Sequence, residues 1–495
     1  MVVNLMETCM KPDFNTEMPT HCFNTASGKP PGLHSNRPLP VRIRWLKIPE
    51  LNLSVWVLLV VTLVFTAISS ATERTAPDNP KENPATHDTD WPRFRGPNGT
   101  GISHADTIPL TWTAKDYNWV LDLPGHGHGS PVVVGDRLYL MSGEPDTAER
   151  IVVCVDVNRG DILWKRSFSS KPHRLHHANS YGSTTPAADA NGVVVTWSDP
   201  EKLLLMALDR KGKTVWQKDL GPYQAINGSG TSPIIVDDLV VLMNVQMDPN
   251  FMISIGVLPQ DYPDRTAHDS FLVAVDRKSG EIRWQVKRKT YLAGYATPCV
   301  RTTHNGDREL IFLDSAYGLA GVDIQTGEVN WQTSRLLPSR TVASPVVAGD
   351  LIFGSHGRGV SADMICALRA GNKSAQPKVE YEIKTGAPLT PTPLVKDKLA
   401  FLWSDAGIVT CIEAATGTVV WRNRVGGSYY GSPIWVNGYL YCVDRRGTVV
   451  VVTGNEKYEL LGKTPLGEPS FATPAVAGGV IYFRTETKLF SLGGE

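Results

Sequence analysis

The sequence predicts an all-β chain: an eight-bladed β-propeller of four-stranded blades, with its ring closed by an N-terminal strand. Three observations carry this reading. A short phrase recurs, as GSPVVVGDRLYL from Gly129, ASPVVAGDLIFG from Ala343 and GSPIWVNGYLYC from Gly431. A second phrase of the form Ala-x-Asp-x-x-x-Gly-x-x-x-Trp comes after most copies of the first. Composition agrees: Gly (44) and Pro (35) are plentiful, charged residues make up only 20%, and no stretch after the first hundred residues has the period of a long amphipathic helix.

The first phrase has eight anchors: Ser130-Pro131, Thr185-Pro186, Ser232-Pro233, Thr297-Pro298, Ser344-Pro345, Thr392-Pro393, Ser432-Pro433 and Thr473-Pro474. Spacings are 40–55 residues with one of 65, the range of propellers, solenoids and arrays. Each anchor opens a Val/Ile-rich run, a tight turn such as Gly135-Asp136, Asn191-Gly192 or Asn437-Gly438, and a second run. Proline heads the first strand, where its missing N–H costs least. The second phrase ends at Trp164, Trp216, Trp284, Trp331 and Trp421 and supplies the third and fourth strands. The fifth copy has no Trp there, and Tyr458 takes the Trp slot in the seventh. The eighth copy stops at LFSLGGE, before its outer strand, and Tyr117–Leu123 is the candidate replacement, with Trp119 in the Trp slot. A ring sealed in this way has no open sheet edge at its seam.

The repeated pattern resembles the tryptophan-docking motif of pyrroloquinoline-quinone (PQQ) quinoproteins and their non-enzymatic relatives, over roughly residues 91–495. DWPRFRGPNGTG, from Asp90, is similar to the opening of PQQ-like propellers in bacterial exported proteins. The resemblance implies that Trp119, Trp164, Trp216, Trp284, Trp331 and Trp421 dock on neighbouring blades. It also implies two branches. Alcohol-oxidising dehydrogenases hold PQQ with calcium beside a vicinal disulfide and use an Asp as base. Other members keep the fold without a known reaction, among them the lipoprotein of the outer-membrane β-barrel assembly machinery. This sequence has no Cys-Cys pair and no recognisable PQQ and calcium constellation, so the non-enzymatic branch is the expectation.

The rest of the chain bears on location and ligands. Residues 1–50 read as a disordered basic region, with Arg37, Arg42, Arg44 and Lys47 ahead of an apolar run, VWVLLVVTLVFTAISSA. Residues 51–71 are read as a signal peptide or a membrane anchor helix; either exports the remainder of the chain to the periplasm or cell surface. Residues 72–90 read as a flexible linker. The balance of 49 basic against 49 acidic residues argues against nucleic acid as a partner. Seven cysteines at wide spacing suggest no disulfide framework; Cys154 and Cys411 share a repeat slot with Ala207, Ala274 and Gly321 and read as small core residues. Asp156, Asp209, Asp276 and Asp323 recur with the blades and read as turn formers. The sequence contains no nucleophile elbow, phosphate loop or HExxH motif.

Residues just ahead of each anchor should ring the channel at one face. His126, His128, Tyr181, Asn227, Tyr295, Arg340, Tyr429 and Tyr430 are the candidate ligand-binding residues there. Two long insertions, Ser169–Ser180 and Asn244–Ser270, should fall on the same face. His126, His128, His176 and His177 raise zinc or copper as an alternative, but no Cys or carboxylate completes a ligand set, and no metal site is assigned. The expected function is a monomeric binding or scaffolding module of the cell envelope, with a protein or polysaccharide partner. The alternatives are a PQQ- or quinone-linked oxidoreductase, and carbohydrate or peptide recognition.

Overall fold

The structure, a computed structural model, describes residues 89–359 and 361–494. The expectations for 1–50 and 51–71, and for all but the end of the 72–90 linker, lie outside the described residues. Among the described residues, no helix is long and apolar enough to cross a membrane.

Eight antiparallel sheets form the ring. Blade 1 comprises Val132–Val134, Arg137–Gly143, Arg150–Asp156 and Ile162–Phe168, ordered from the axis outward. Blades 2 to 7 repeat that order over 187–219, 234–288, 299–332, 346–383, 394–424 and 434–465. Blade 8 takes three strands from 475–493 and its outermost strand, Tyr117–Asp122, from upstream of blade 1, with Trp119 opposite Ser491. The innermost strand of blade 1 touches those of blades 2 and 8, which closes the circle. The two middle strands of each blade are almost wholly buried and feed apolar clusters between neighbouring blades. In the outer strand of blade 1, only Trp164 is buried.

The tryptophan slot is a joint between blades. Trp119, Trp164, Trp216 and Trp284 each donate their indole N–H to a backbone carbonyl in the next blade, at Val157 (3.0 Å), Arg210 (2.9 Å), Arg277 (3.0 Å) and Ile324 (2.8 Å). The indole face lies on the next blade's turn glycine. At Gly160, with φ 72°, a Cβ would stand 2.6 Å from the Trp119 ring, so the motif needs glycine for both conformation and space. The preceding Asp shapes that turn: Asp156 accepts the amides of Asn158 and Arg159, and Asp323 those of Gln325 and Thr326. Cys154 and Cys411 pair with Trp164 and Trp421, as Ala207, Ala274 and Gly321 pair with theirs. The five described cysteines are free and buried.

Trp331 keeps the indole but donates it to Glu309 of its own blade, and two slots lack a tryptophan. In blade 5, Tyr381 occupies the slot, stacking on Gly417 and donating its hydroxyl to Ala414 O. In blade 7 the residue opposite Val451 is Gly462, not Tyr458. Tyr458 precedes the outer strand and rests 5.1 Å from the Trp421 ring. Close to Gly462 lies the carbonyl of Leu110, in the segment that leads to the closing strand; there Trp112 stacks on Phe483 of blade 8 at 5.5 Å.

The anchor Ser/Thr residues form a belt around the axis. Seven of the eight hydroxyls accept the amide N–H of the preceding anchor: Ser130 N–H to Thr185, Thr185 to Ser232, Thr297 to Ser344, Ser344 to Thr392, Thr392 to Ser432, Ser432 to Thr473, and Thr473 to Ser130. These links are 2.9–3.1 Å and join seven of the eight neighbouring pairs. A small hydroxyl residue fits because the innermost amides at this level face the adjacent blade and require an acceptor from it.

Below the belt, DWPRFRGPNGTGIS crosses the channel. Gly135 N–H donates to Asp90, and Trp91 pairs with Val133 of blade 1. Pro92 O accepts from Ala188 of blade 2, and Arg93 donates to Pro298 O of blade 4. The Asn98 side chain both donates to and accepts from Val300, as a strand would. Arg95 reaches Pro433 O of blade 7, and Ile102–Ser103 then adds a fifth, parallel strand inside that blade. Trp91, Arg93 and Arg95 are buried; desolvation lowers the two guanidinium pKa values to about 10 and about 9, so both remain cations at neutral pH. One segment thus plugs the channel and ties four blades together.

Candidate functional site

Strand direction defines the two faces of the ring. Innermost strands run away from the belt, so the first hairpin turns, among them Gly135-Asp136 and Asn437-Gly438, lie at the plugged end. The connections between blades, and those between second and third strands, emerge at the other end, here called the mouth. Both long insertions lie there, since 169–180 joins blade 1 to blade 2 and 244–270 joins the middle strands of blade 3. The plug leaves the mouth as the open end of the well.

The eight sequence-derived residues divide into groups. Asn227, Tyr295 and Arg340 come together: burial raises the Tyr295 pKa, and Arg340 and Asn227 beside it act in the opposite direction. Arg340 donates to Gly359 O at 2.8 Å, while its Nε is buried without a partner. Across the mouth, the His128 ring stacks on Phe471 at 4.1 Å, and Tyr430 lies 5.9 Å from the same phenyl ring. Burial holds the His128 pKa below its ordinary value, only partly offset by Glu486, whose Oε1 is 3.6 Å from Nε2. His126 is exposed and pairs through its backbone with Gly143.

Two residues are placed elsewhere. Tyr429 is fully buried in the core between blades 6 and 7, with its ring 5.3 Å from Trp403, so it does not line the mouth. In extended backbone, neighbouring side chains point to opposite faces. Tyr181 secures the 169–180 loop: its hydroxyl donates to His173 O at 2.7 Å and accepts from His173 N–H, and its ring lies 4.4 Å from the Arg150 guanidinium.

The structure adds residues that alignment of the phrases did not select. Arg445, on the turn after the second strand of blade 7, lies 4.7 Å over the Tyr430 ring and 5.5 Å over Phe471. Arg484 is fully buried beneath His128 and donates to Gly129 O and Ser142. The 169–180 loop crosses toward blade 3, where the Asn179 amide donates to the carbonyls of Asn227 and Ser229. It places His176 and His177 together at 4.1 Å, in the field of both Arg340 and Arg445. Burial first, then His177 and the arginines, lowers the His176 pKa.

This donor set matches a quinone cofactor only in part. Guanidinium groups and aromatic faces suit a planar polycarboxylate. The calcium that accompanies PQQ in the dehydrogenase branch requires clustered oxygen ligands, and the described residues contain no group of three or more His, Cys, Asp or Glu able to hold a metal. Asp405, at the mouth side of blade 6, accepts the amides of Leu389 and Thr390 and is buried, with its pKa raised by desolvation.

Comparison with known proteins agrees with this architecture. The family model described as "Outer membrane protein assembly factor BamB" matches residues 107–249, 264–423 and 369–494. BamB from Moraxella catarrhalis superposes with a TM-score of 0.52 at 14% identity, covering 76% of this chain and 98% of that one. The quinohemoprotein alcohol dehydrogenase from Comamonas testosteroni superposes with a TM-score of 0.56 at 12% identity, covering 82% and 80%. At such identities the likeness shows the fold alone. No curated protein sequence matches the chain. The family match spans most of the propeller, and the chain belongs to the PQQ-repeat family described as outer membrane protein assembly factor BamB.

Proposed function

We propose that this protein is an exported binding or scaffolding module of the cell envelope, and that its partner engages the mouth of the propeller. The observation that carries the reading is the plugged channel, with Trp91–Ser103 filling one end and long loops, aromatic rings and arginines gathered at the other. Family membership supports a protein partner, since the family description is that of an outer membrane assembly factor. The apolar run from Val55 to Ala71 would supply the export signal or the tether.

The competing reading, a PQQ-linked oxidoreductase, shares the fold and would use the same mouth. Calorimetric titration of residues 72–495 with PQQ, with and without calcium, separates the two when combined with a dye-linked dehydrogenase assay on alcohols and sugars. The module reading expects no calcium-dependent binding and no turnover. Tight calcium-dependent binding with turnover would replace it with the oxidoreductase.

A further inference from the structure

The mouth holds cations that no acid among the described residues pairs with. Arg445 makes no ion pair there; its contacts are the faces of Tyr430 and Phe471, and its Nε is buried without a partner. Arg340 makes none either and donates only to a backbone carbonyl. Nearby carboxylates are engaged elsewhere: Asp444 accepts the amides of Arg446 and Thr448, Glu468 accepts the hydroxyls of Thr485 and Thr487, and Glu486 faces His128. A guanidinium seated over aromatic rings keeps its charge without an acidic partner, and its N–H groups match a carboxylate bidentately.

Arg340 leads into blade 5 and Arg445 belongs to blade 7, so they approach from different sectors of the ring. His176 sits in the field of both, because the loop carrying it crosses the mouth and is held by Asn179 and Tyr181. The plug prevents a polymer from threading the axis, so a ligand must enter as a loop or a chain end. A polypeptide segment bearing several carboxylates fits this geometry, with one acid for each arginine.

We infer that the mouth is a receptor for an acidic polypeptide segment, gripped through its carboxylates by Arg340 and Arg445. This rests on the proposal that the mouth is the partner face, and it names what that face recognises.

The test uses the full chain and three probes of similar length: an oligoglutamate peptide, its oligoglutamine counterpart and an oligouronate. The oligoglutamate should bind, with affinity that falls steeply as salt rises. The oligoglutamine, and the double variant Arg340→Gln/Arg445→Gln, should each weaken binding by at least about tenfold. Arg446→Gln, at an exposed neighbour, should leave affinity within about twofold. A matched thermal midpoint for the double variant shows that loss of binding is not loss of fold. Equal binding of both peptides, or unchanged affinity in the double variant, would overturn the inference. Preference for the oligouronate would overturn it in favour of a polysaccharide. Photo-crosslinking of a partner from His126 without oligoglutamate binding would overturn the acidic ligand while sparing the mouth as partner face.

Discussion

Deleting Tyr117–Leu123 is expected to abolish cooperative folding of the whole propeller, although it removes a single outer strand. That strand completes blade 8 through the pairs Trp119–Ser491, Val120–Phe490 and Leu121–Leu489. It also supplies the indole that docks on Gly160 and donates to Val157 O, the joint between blades 8 and 1. Without it, Lys488–Gly493 becomes a bare edge and the ring loses its seam. The loss approaches the total stability of a domain, about 5–15 kcal/mol. Size-exclusion chromatography and chemical unfolding should report aggregation and no single transition. A soluble deletion variant that unfolds in one cooperative step would refute the closure.

Trp331→Ala should cost about 3–5 kcal/mol, the range for removing a buried aromatic side chain. The mechanism here differs from that at the other joints. Trp331 donates to Glu309, at 3.0 and 3.2 Å, rather than to the next blade, and Glu309 also accepts from Arg301 at 2.7 Å and Asn330 at 3.1 Å. Truncation therefore leaves a buried carboxylate one donor short as well as creating a cavity. Trp331→Phe keeps most of the volume and should lose less, about 1–3 kcal/mol. Denaturant unfolding measures both, and a near-zero loss for Trp331→Ala would remove its structural role.

The ring was legible in the sequence because every blade solves the same packing problem with the same residues. The belt hydroxyls, the turn glycines and the indoles recur in register, and most of their contacts recur with them: seven of eight belt links, and the indole-on-glycine joint of Trp119, Trp164, Trp216 and Trp284. Failures occurred where a blade solves that problem differently. In blade 5, eight residues separate the third strand from the fourth, against five in blade 1, so Tyr381 lies beyond the expected spacing. In blade 7, Gly454 packs under Trp435, the outer strand begins only at Leu460, and Tyr458 falls short of the slot.

The site was legible only in outline. Position ahead of an anchor does put His128, Tyr295, Arg340 and Tyr430 at the mouth, where a ligand role for them is a proposal, but side-chain alternation turned Tyr429 into the core. Arg445 lies on a turn that the phrase alignment does not treat as part of the ring. The plug was hidden for another reason: its contacts span 205 residues at Arg93 and 338 at Arg95, and no local pattern encodes them. Its opening phrase marks the family, but nothing in that phrase gives its path across the channel.

Most depends on the mouth being the face that binds. A photo-crosslinking residue placed at His126, exposed at the mouth, and another at Asn191, in a hairpin turn at the plugged end, test this in the full chain within its native cells. One discrete adduct is expected from position 126 and none from position 191. An adduct from position 191 alone would contradict a binding mouth and move the binding surface to the opposite face.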